Sequence, residues 1–390
     1  MAIKVYELIA PCHFGLEAVL KQEILDLGYE IAQVEDGKVT FYGDDEAICR
    51  ANIFLRTTER ILLKAGSFPA TTFEELFQGT KGIPWEEYIP PDGKFWVTKA
   101  NSLKSKLFSP SDIQSIMKKA MVERMKQGHG VTALPETGVS YPLRVSLYKD
   151  QVTIGMDTSG ESLHRRGYRK LASKAPITET LAAALIMLTP WNKDRILVDP
   201  FCGSGTFPIE AAMMAAGIAP GMNRSFLSED WTNLIPKKCW YEAMDEAAEM
   251  VDHTVKADIQ GYDIDGEIIK AAKANAEAAG VGHMIHFQQR PVSQLSHSKK
   301  YGFLITNPPY GERIEDKANL PALYAEIGKR FQALDSWSAY LITAYEDVEK
   351  YMGRKADKNR KIYNGMMKTY YYQFMGPRPP KRRAGDIREE

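Results

Sequence analysis

The sequence predicts an α/β fold: a C-terminal half built on a parallel sheet, preceded by two smaller α+β units. Three observations predict it. Beyond about residue 173, short apolar strands alternate with helical segments, the pattern of a parallel sheet wound with helices. Two of those strands run into ligand-type loops, Asp199-Pro200-Phe201-Cys202-Gly203-Ser204-Gly205-Thr206 and Asn307-Pro308-Pro309-Tyr310. Before residue 166 the strands instead pair as hairpins, around Asp36-Gly37 and Lys149-Asp150.

The first unit is expected over residues 1–65. Lys4–Ala10 has strand character, and Leu16, Val19, Leu20, Ile24 and Leu27 fall on one helical face that Gly28 terminates. Strands Tyr29–Glu35 and Lys38–Tyr42 flank the Asp36-Gly37 turn, and a helix is expected over Glu46–Lys64. The second unit is expected over residues 66–165. It holds a strand at Lys94–Ala100 and a helix that opens at Ser109-Pro110-Ser111-Asp112 and stops at Gly128. A hairpin of Pro142–Tyr148 and Gln151–Asp157 closes it. Basic residues gather here: Lys99, Lys104, Lys106, Lys118, Lys119, Arg124 and Lys126. They are either a solvated face or a surface for a polyanion. The stretch His164-Arg165-Arg166-Gly167-Tyr168-Arg169-Lys170 reads as a linker suited to backbone phosphates.

The third unit is expected over residues 166–380. Pro176 opens an apolar helix through Leu188. Strands are expected at Arg195–Asp199, Ile259–Asp263, Ile285–Gln288, Phe303–Thr306 and Ala339–Thr343, with helices at Glu267–Ala279 and Ala322–Leu334. Gly217–Lys256 reads as an insertion, and Asn364-Gly365 as a turn between two late strands. The Pro/Arg-rich end from Gly376 to Glu390 reads as loose, with residues 381–390 as the tail.

The bulk numbers fit this plan. A chain of 390 residues suggests two or three domains, and 44% hydrophobic residues can bury a sizeable core. Fifty basic and fifty acidic residues cancel, so a nucleic-acid partner must be met by local patches. Cys12, Cys49, Cys202 and Cys239 show neither zinc spacing nor a disulfide framework, so a reducing cytoplasm and no metal are expected. The N-terminus does not read as a signal peptide, and no apolar run of about 18 residues suggests a membrane span.

In the first loop, Gly203 and Gly205 permit a tight turn and close backbone approach to a ligand. There is no Gly-Lys-Ser/Thr, so this is not a triphosphate loop, and Pro208 stands where a dinucleotide fingerprint has its third glycine. Asp199 at the mouth repels a pyrophosphate and favours a ligand carrying an ammonium and a sulfonium. S-adenosylmethionine carries both. Asp263, at the end of the next strand, is placed to accept two ribose hydroxyls or else to cap the following helix.

The second loop is the more specific. Two prolines stiffen it and remove two backbone donors. The Asn307 side-chain oxygen and the Pro308 carbonyl can then accept both hydrogens of an amino group and aim its lone pair at a methyl group. Tyr310 can stack on the base. Such a reaction needs alignment and charge stabilisation but no metal.

These residues resemble the amino-methyltransferases, whose signature is Asn/Asp-Pro-Pro-Tyr/Phe. Asn307-Pro308-Pro309-Tyr310-Gly311-Glu312-Arg313, together with Asp199–Thr206, looks like the THUMP-containing RNA methyltransferases, and within them the RlmL/YcbY-like (YpsC-like) enzymes that methylate guanine N2 in large-subunit rRNA. The resemblance covers nearly the whole chain. It implies a seven-stranded Rossmann-like S-adenosylmethionine-dependent methyltransferase domain with its last strand antiparallel, preceded by ferredoxin-like and THUMP domains. It implies catalysis by Asn307, Pro308, Pro309 and Tyr310. It implies cofactor contacts from Phe201, Cys202, Gly203, Ser204, Gly205 and Thr206, from Asp199, Asp263, Ile264 and Asn307, and from Pro176 and Thr178 in Lys174–Thr180. Relatives carry an acid after the third strand for the adenine; here Gln288–Ser293 stands there, and Gln289 or a backbone group is the expected substitute. RNA contacts are expected from Lys99, Lys104, Lys106, Lys119, Arg165, Arg166 and Arg169. The expected partner is 23S rRNA or a ribosomal assembly particle.

Three rivals remain at this stage: an adenine-N6 DNA methyltransferase, a methyltransferase acting on tRNA, and a non-catalytic RNA-binding assembly factor. A dehydrogenase fails on Pro208 and Asp199.

Overall fold

The computed structural model describes residues 4–169, 176–311 and 318–380. It divides into two compact units, Met1–Arg166 with Ala219–Met250, and Gly167–Ile218 with Val251–Glu390.

The first unit opens with β1 (Tyr6–Pro11), α1 (Glu17–Asp26), β2 (Ile31–Glu35), β3 (Lys38–Gly43) and α2 (Asp45–Phe54). It continues with β4 (Leu62–Pro69), α3 (Phe73–Lys81), β5 (Lys94–Leu103), α4 (Pro110–His129), β6 (Ser140–Tyr148) and β7 (Gln151–Asp157). All seven strands form one sheet in the order β2-β3-β1-β4-β7-β6-β5. The helix expected over Glu46–Lys64 therefore ends early. Leu55 turns extended (ψ 121), and the chain re-emerges as β4, pairing with β1 and β7. Sheet pairing overrides the helical period there. Buried Glu23 holds the break by accepting the backbone N–H groups of Arg56 (2.8 Å) and Thr57 (3.1 Å). Because β4 spans residue 65, the two α+β units share a single sheet.

Helix α4 also runs past its expected stop. Gly130, at φ 65, is the left-handed cap, and Gly128 lies inside the helix. Gly128 serves packing: a Cβ there would lie 2.5 Å from the Glu86 carboxyl carbon, which is ion-paired with Arg124.

The chain then forms α5 (Glu179–Met187), β8 (Leu197–Asp199) and α6 (Thr206–Ala215) of the second unit. The stretch read as an insertion comes next, and Ala219–Met250, including α7 (Lys237–Glu249), packs into the first unit. Trp231 is fully buried, stacked on Tyr141 at 5.0 Å, and Phe226 stacks on Trp240 at 5.2 Å. Gly221 donates to the Ile53 carbonyl (2.9 Å), and a Cβ at Gly221 would sit 2.6 Å from Ile53 Cα. Arg50 on α2 grips Glu246 on α7 through two bonds of 2.7 Å. Both partners are partly solvated, so Glu246→Gln is expected to lower stability by about 1 kcal/mol. Urea unfolding of the single and double variants with Arg50→Met measures the coupling.

The second unit resumes with β9 (Ile259–Asp263), α8 (Gly266–Ala278), β10 (Ile285–Gln289) and β11 (Phe303–Thr306). It finishes with α9 (Leu320–Gln332), β12 (Ser338–Thr343), α10 (Val348–Met352), β13 (Lys358–Asn364) and β14 (Met367–Phe374). The sheet order is β10-β9-β8-β11-β12-β14-β13. Strands β8 to β12 pair in parallel, and β14 joins antiparallel to β12. Leu197, Val198, Phe303–Ile305 and Ala339–Ile342 are buried, as strands covered on both faces require. The strand order reverses between β8 and β11. A crevice opens there at their carboxyl ends, and both signature loops leave the sheet at that point.

Candidate active site

A cavity of about 840 Å³ occupies this crevice. The floor starts at β8. Asp199 is its last residue and is only 1% exposed. Its carboxylate accepts the Thr306 hydroxyl (2.6 Å) and the Phe201 N–H (3.1 Å). Thr306 immediately precedes Asn307, so this one acid ties the two signature loops together. Burial, reinforced by nearby Asp263, pushes the Asp199 carboxyl up to about 7.

The loop beyond Asp199 turns on Gly203 (φ 52) and Gly205 (φ 89), and Gly205 begins α6. A Cβ at Gly205 would lie 3.0 Å from the Phe287 ring, so both conformation and space require glycine. Asp263 at the end of β9 accepts the Gly203 N–H and the Asp265 N–H, each at 3.0 Å. The helix cap is supplied by Asp265, which accepts the Glu267 N–H (2.9 Å). Asp263 is therefore not the capping side chain of α8, and it faces the cavity. Burial raises its carboxyl too. Burial also lifts the Cys202 thiol well above its ordinary value, which favours the protonated form.

In the second loop, the Asn307 side-chain oxygen is buried and meets no hydrogen-bond partner among the described residues. A buried acceptor without a partner is uncommon in folded proteins. The loop around it is fixed. The Tyr324 hydroxyl donates to the Pro309 carbonyl (3.2 Å), and Asn364 donates from Nδ2 to the Tyr310 hydroxyl (3.2 Å).

Of the residues expected at the cofactor, Pro176, Asp199, Phe201, Cys202, Gly203, Ser204, Thr206, Asp263, Ile264 and Asn307 line the cavity, joined by Pro308, Pro309 and Tyr310. Thr178, Gly205 and Gln289 do not. Thr178 stands at the start of α5, and Ile177 takes the wall position beside Pro176. Gln289 is exposed, donating to the Ile264 carbonyl (3.0 Å), and Pro291, Val292 and Ser293 line the cavity instead. Leu323 and Glu326 were not anticipated. Their spacing of three on α9 puts both on one helical face, a signal the sequence did contain. Lys170, Lys174, Ala175, Glu312 and Arg313 lie outside the described residues, as does the tail at 381–390.

The expected RNA-binding residues divide. Lys99, Lys104, Lys106 and Lys119 are exposed. Arg165 is exposed and pairs with Glu161 (3.2 Å). Arg166 and Arg169 have other work. Arg166 is 2% exposed and donates to the carbonyls of Leu163 (2.7 Å) and Arg56 (2.6 Å). Arg169 pairs with Glu179 (3.0 Å) and donates to the Ile177 carbonyl (3.0 Å) and the Thr206 hydroxyl (2.7 Å), bracing the cavity wall. Lys118 and Arg124 are likewise engaged, with Glu136 and Glu86. Sequence clustering counts charges but cannot see which are already neutralised. Among the described residues no helix is long and apolar enough to cross a membrane, and no three His, Cys, Asp or Glu side chains converge as metal ligands.

Comparisons with known proteins agree with this geometry. The RlmL ferredoxin-like domain matches residues 7–62, the THUMP domain residues 70–157 and the RMKL-like methyltransferase domain residues 166–373. YpsC of Bacillus subtilis (strain 168), a candidate RNA methyltransferase by its name, is 48% identical over 383 residues, covering 98% of this chain and 99% of that protein. The ribosomal RNA large subunit methyltransferase K/L of Cellvibrio japonicus (strain Ueda107) is 31% identical over 388 residues, 95% of this chain but 51% of that protein; this chain spans about half its length. The crystal structure of SMU.472 complexed with SAH superposes with a TM-score of 0.91 at 43% identity, covering 97% of this chain and 100% of that one. With the methyltransferase domain matching residues 166–373, just over half of the chain, and both signature loops converging on one cavity, the chain belongs to the RMKL-like methyltransferase family, with RlmL ferredoxin-like and THUMP domains preceding the catalytic one.

Proposed function

We propose that this chain methylates RNA, using S-adenosylmethionine to methylate the exocyclic N2 amino group of a guanine in 23S rRNA. The observation that carries the reading is the buried Asn307 oxygen, without a partner among the described residues, in the wall of a cavity that Asp199 and Asp263 also line. A donor must arrive to satisfy it, and an amino group is such a donor. The THUMP match and the large-subunit K/L relative support RNA over DNA. The SAH complex of SMU.472 supports the cofactor.

The residues fit that cofactor. Asp199 and Asp263 supply negative charge for its ammonium and sulfonium and acceptors for ribose hydroxyls, and Gly203 lets the backbone approach. When bound, S-adenosylmethionine supplies a methyl group already activated on sulfur. Asn307 and the Pro308 carbonyl accept the two amino hydrogens, which orients the nitrogen lone pair and stabilises the charge that builds on nitrogen. Tyr310, held by Asn364, presents its ring for stacking. The proton lost from the amino group passes to solvent.

Mass spectrometry of 23S rRNA nucleosides, in cells with and without this protein, tests the proposal. Loss of one N2-methylguanosine, restored by the wild type but not by Asn307→Ala, is expected. An unchanged rRNA profile would sink the substrate assignment and direct the same assay to tRNA and then to DNA adenine.

A further inference from the structure

The last hairpin of the methyltransferase unit carries a residue its fold does not ask for. β13 and β14 are joined by a two-residue turn, Gly365-Met366, with Asn364 paired to Met367. Gly365 has φ 60, and Met366 is not among the residues of positive φ. A turn of that kind needs glycine first and makes no demand for an apolar side chain second. Met366 is nonetheless methionine and is 99% exposed.

Single exposed apolar residues are common on protein surfaces, so exposure alone decides nothing. Location decides. The residue before the turn, Asn364, donates to the hydroxyl of Tyr310, which lines the cavity alongside Asn307. The hairpin tip is thus bonded to the loop that would hold the target nitrogen. Two exposed lysines lie behind it on one face of the hairpin: Lys368, one pair from the tip and 5.2 Å from the Tyr370 ring, and Lys361, further back and 5.3 Å from the Tyr363 ring. The tip therefore combines an apolar point with cationic shoulders, which matches a nucleic-acid strand of stacked bases between phosphates.

We propose that Met366 is a wedge that enters the RNA base stack where the target base has turned out toward Asn307 and Tyr310. The inference rests on the reading that this chain methylates a base amino group in RNA. A stacked base cannot reach a cavity floor, so it must leave the stack, and its former neighbours are left with a gap. An unbranched, polarisable thioether fills a flat gap well, and methionine is among the residues that wedge between base steps. Lys361 and Lys368, on one face of the hairpin, then meet phosphates of the strand that the wedge enters. Met366 does not touch the reacting atoms; it is a positioning residue acting through the RNA.

The test uses the full chain and an RNA fragment around the guanine located by the nucleoside map. A second, identical fragment places an abasic site opposite that guanine, which lowers the cost of extrusion. Met366→Ala is expected to lower kcat/KM by about 10–100-fold on the paired fragment and by about threefold on the abasic one. Met366→Leu is expected to restore most of the activity, with cofactor affinity and melting temperature unchanged. With 2-aminopurine at the target position, saturating wild type is expected to raise its fluorescence, and saturating Met366→Ala is not. Equal activity of Met366→Ala and wild type on the paired fragment overturns the wedge, as does an equal loss on both fragments, which would mark a general docking role. If wild type methylates neither RNA, the underlying reading fails and the wedge with it, and the wild-type control separates that result from the others.

Discussion

Asn307→Ala is expected to reduce methyl transfer by about 10²–10³-fold in single-turnover assays while the affinity for S-adenosylmethionine stays within about threefold of wild type. The Asn307 oxygen sits just past the end of β11, where it meets no hydrogen-bond partner among the described residues. The surrounding loop is held by Tyr324 and by Thr306, so the oxygen keeps its position before any substrate arrives. That arrangement is preorganisation. The energetic cost is met in folding, and an amino group meets an acceptor that need not reorganise. An unsatisfied buried acceptor costs the fold about 1–3 kcal/mol. Asn307→Ala is accordingly expected to melt no lower than wild type. Asn307→Asp keeps acceptor oxygens and is expected to retain more turnover than the alanine variant. Turnover of Asn307→Ala within tenfold of wild type would end the proposed role.

Asp199→Ala is expected to weaken cofactor binding by about 10–100-fold in calorimetry at pH 8, because it removes a poorly solvated charge facing a cationic ligand. The pH profile gives a second reading of the same group. Burial pushes its carboxyl up to about 7 in the cofactor-free protein, so it changes charge within the accessible pH range. A cationic ligand binds the ionised form better. Affinity is therefore expected to rise with pH and level off above about 7, falling about tenfold per unit on the acid side. Asp199→Asn is expected to flatten that profile. The sign for stability is the reverse. The folded value is raised above the ordinary 3.8, so protonated Asp199 favours the cofactor-free fold at low pH, and this contribution is lost as pH rises toward 7. Asp199→Asn should then melt higher than wild type at pH 8 without cofactor and respond less to its addition. A wild-type affinity independent of pH between 5.5 and 8 would refute the charge argument.

The methyltransferase unit was the most legible part of the chain, for a physical reason. Parallel strands are buried on both faces, so they appear as short apolar runs, and their loops carry unusual residues where a ligand must approach. Asp199 and Asp263 could be placed at strand ends, and Gly203 and Asn307 in the loops beyond them, from local pattern. The first unit was harder. A largely antiparallel sheet gains its stability from partners far away in sequence, so the helix expected over Glu46–Lys64 took in Leu62–Lys64, the start of the strand that pairs with β1 and β7. No local pattern announced that Ala219–Met250 would pack against Tyr141, Ile53 and Arg50, because that fit depends on shape across some hundred residues or more. Charge was legible in kind but not in use: Arg166 and Arg169 look like phosphate ligands in sequence, and folding commits both to carbonyls or carboxylates.

By itself, then, the sequence determined the layered architecture of the catalytic unit, the two signature loops and the acids beside them, since these follow from periodicity and from residues with only one good conformational or chemical use. Tertiary structure decided which groups remain unsatisfied once everything else has paired. That remainder, above all the Asn307 oxygen, is where the chemistry is expected to occur. It could not be read from the chain because an unmet hydrogen bond is a property of neighbours, not of residues.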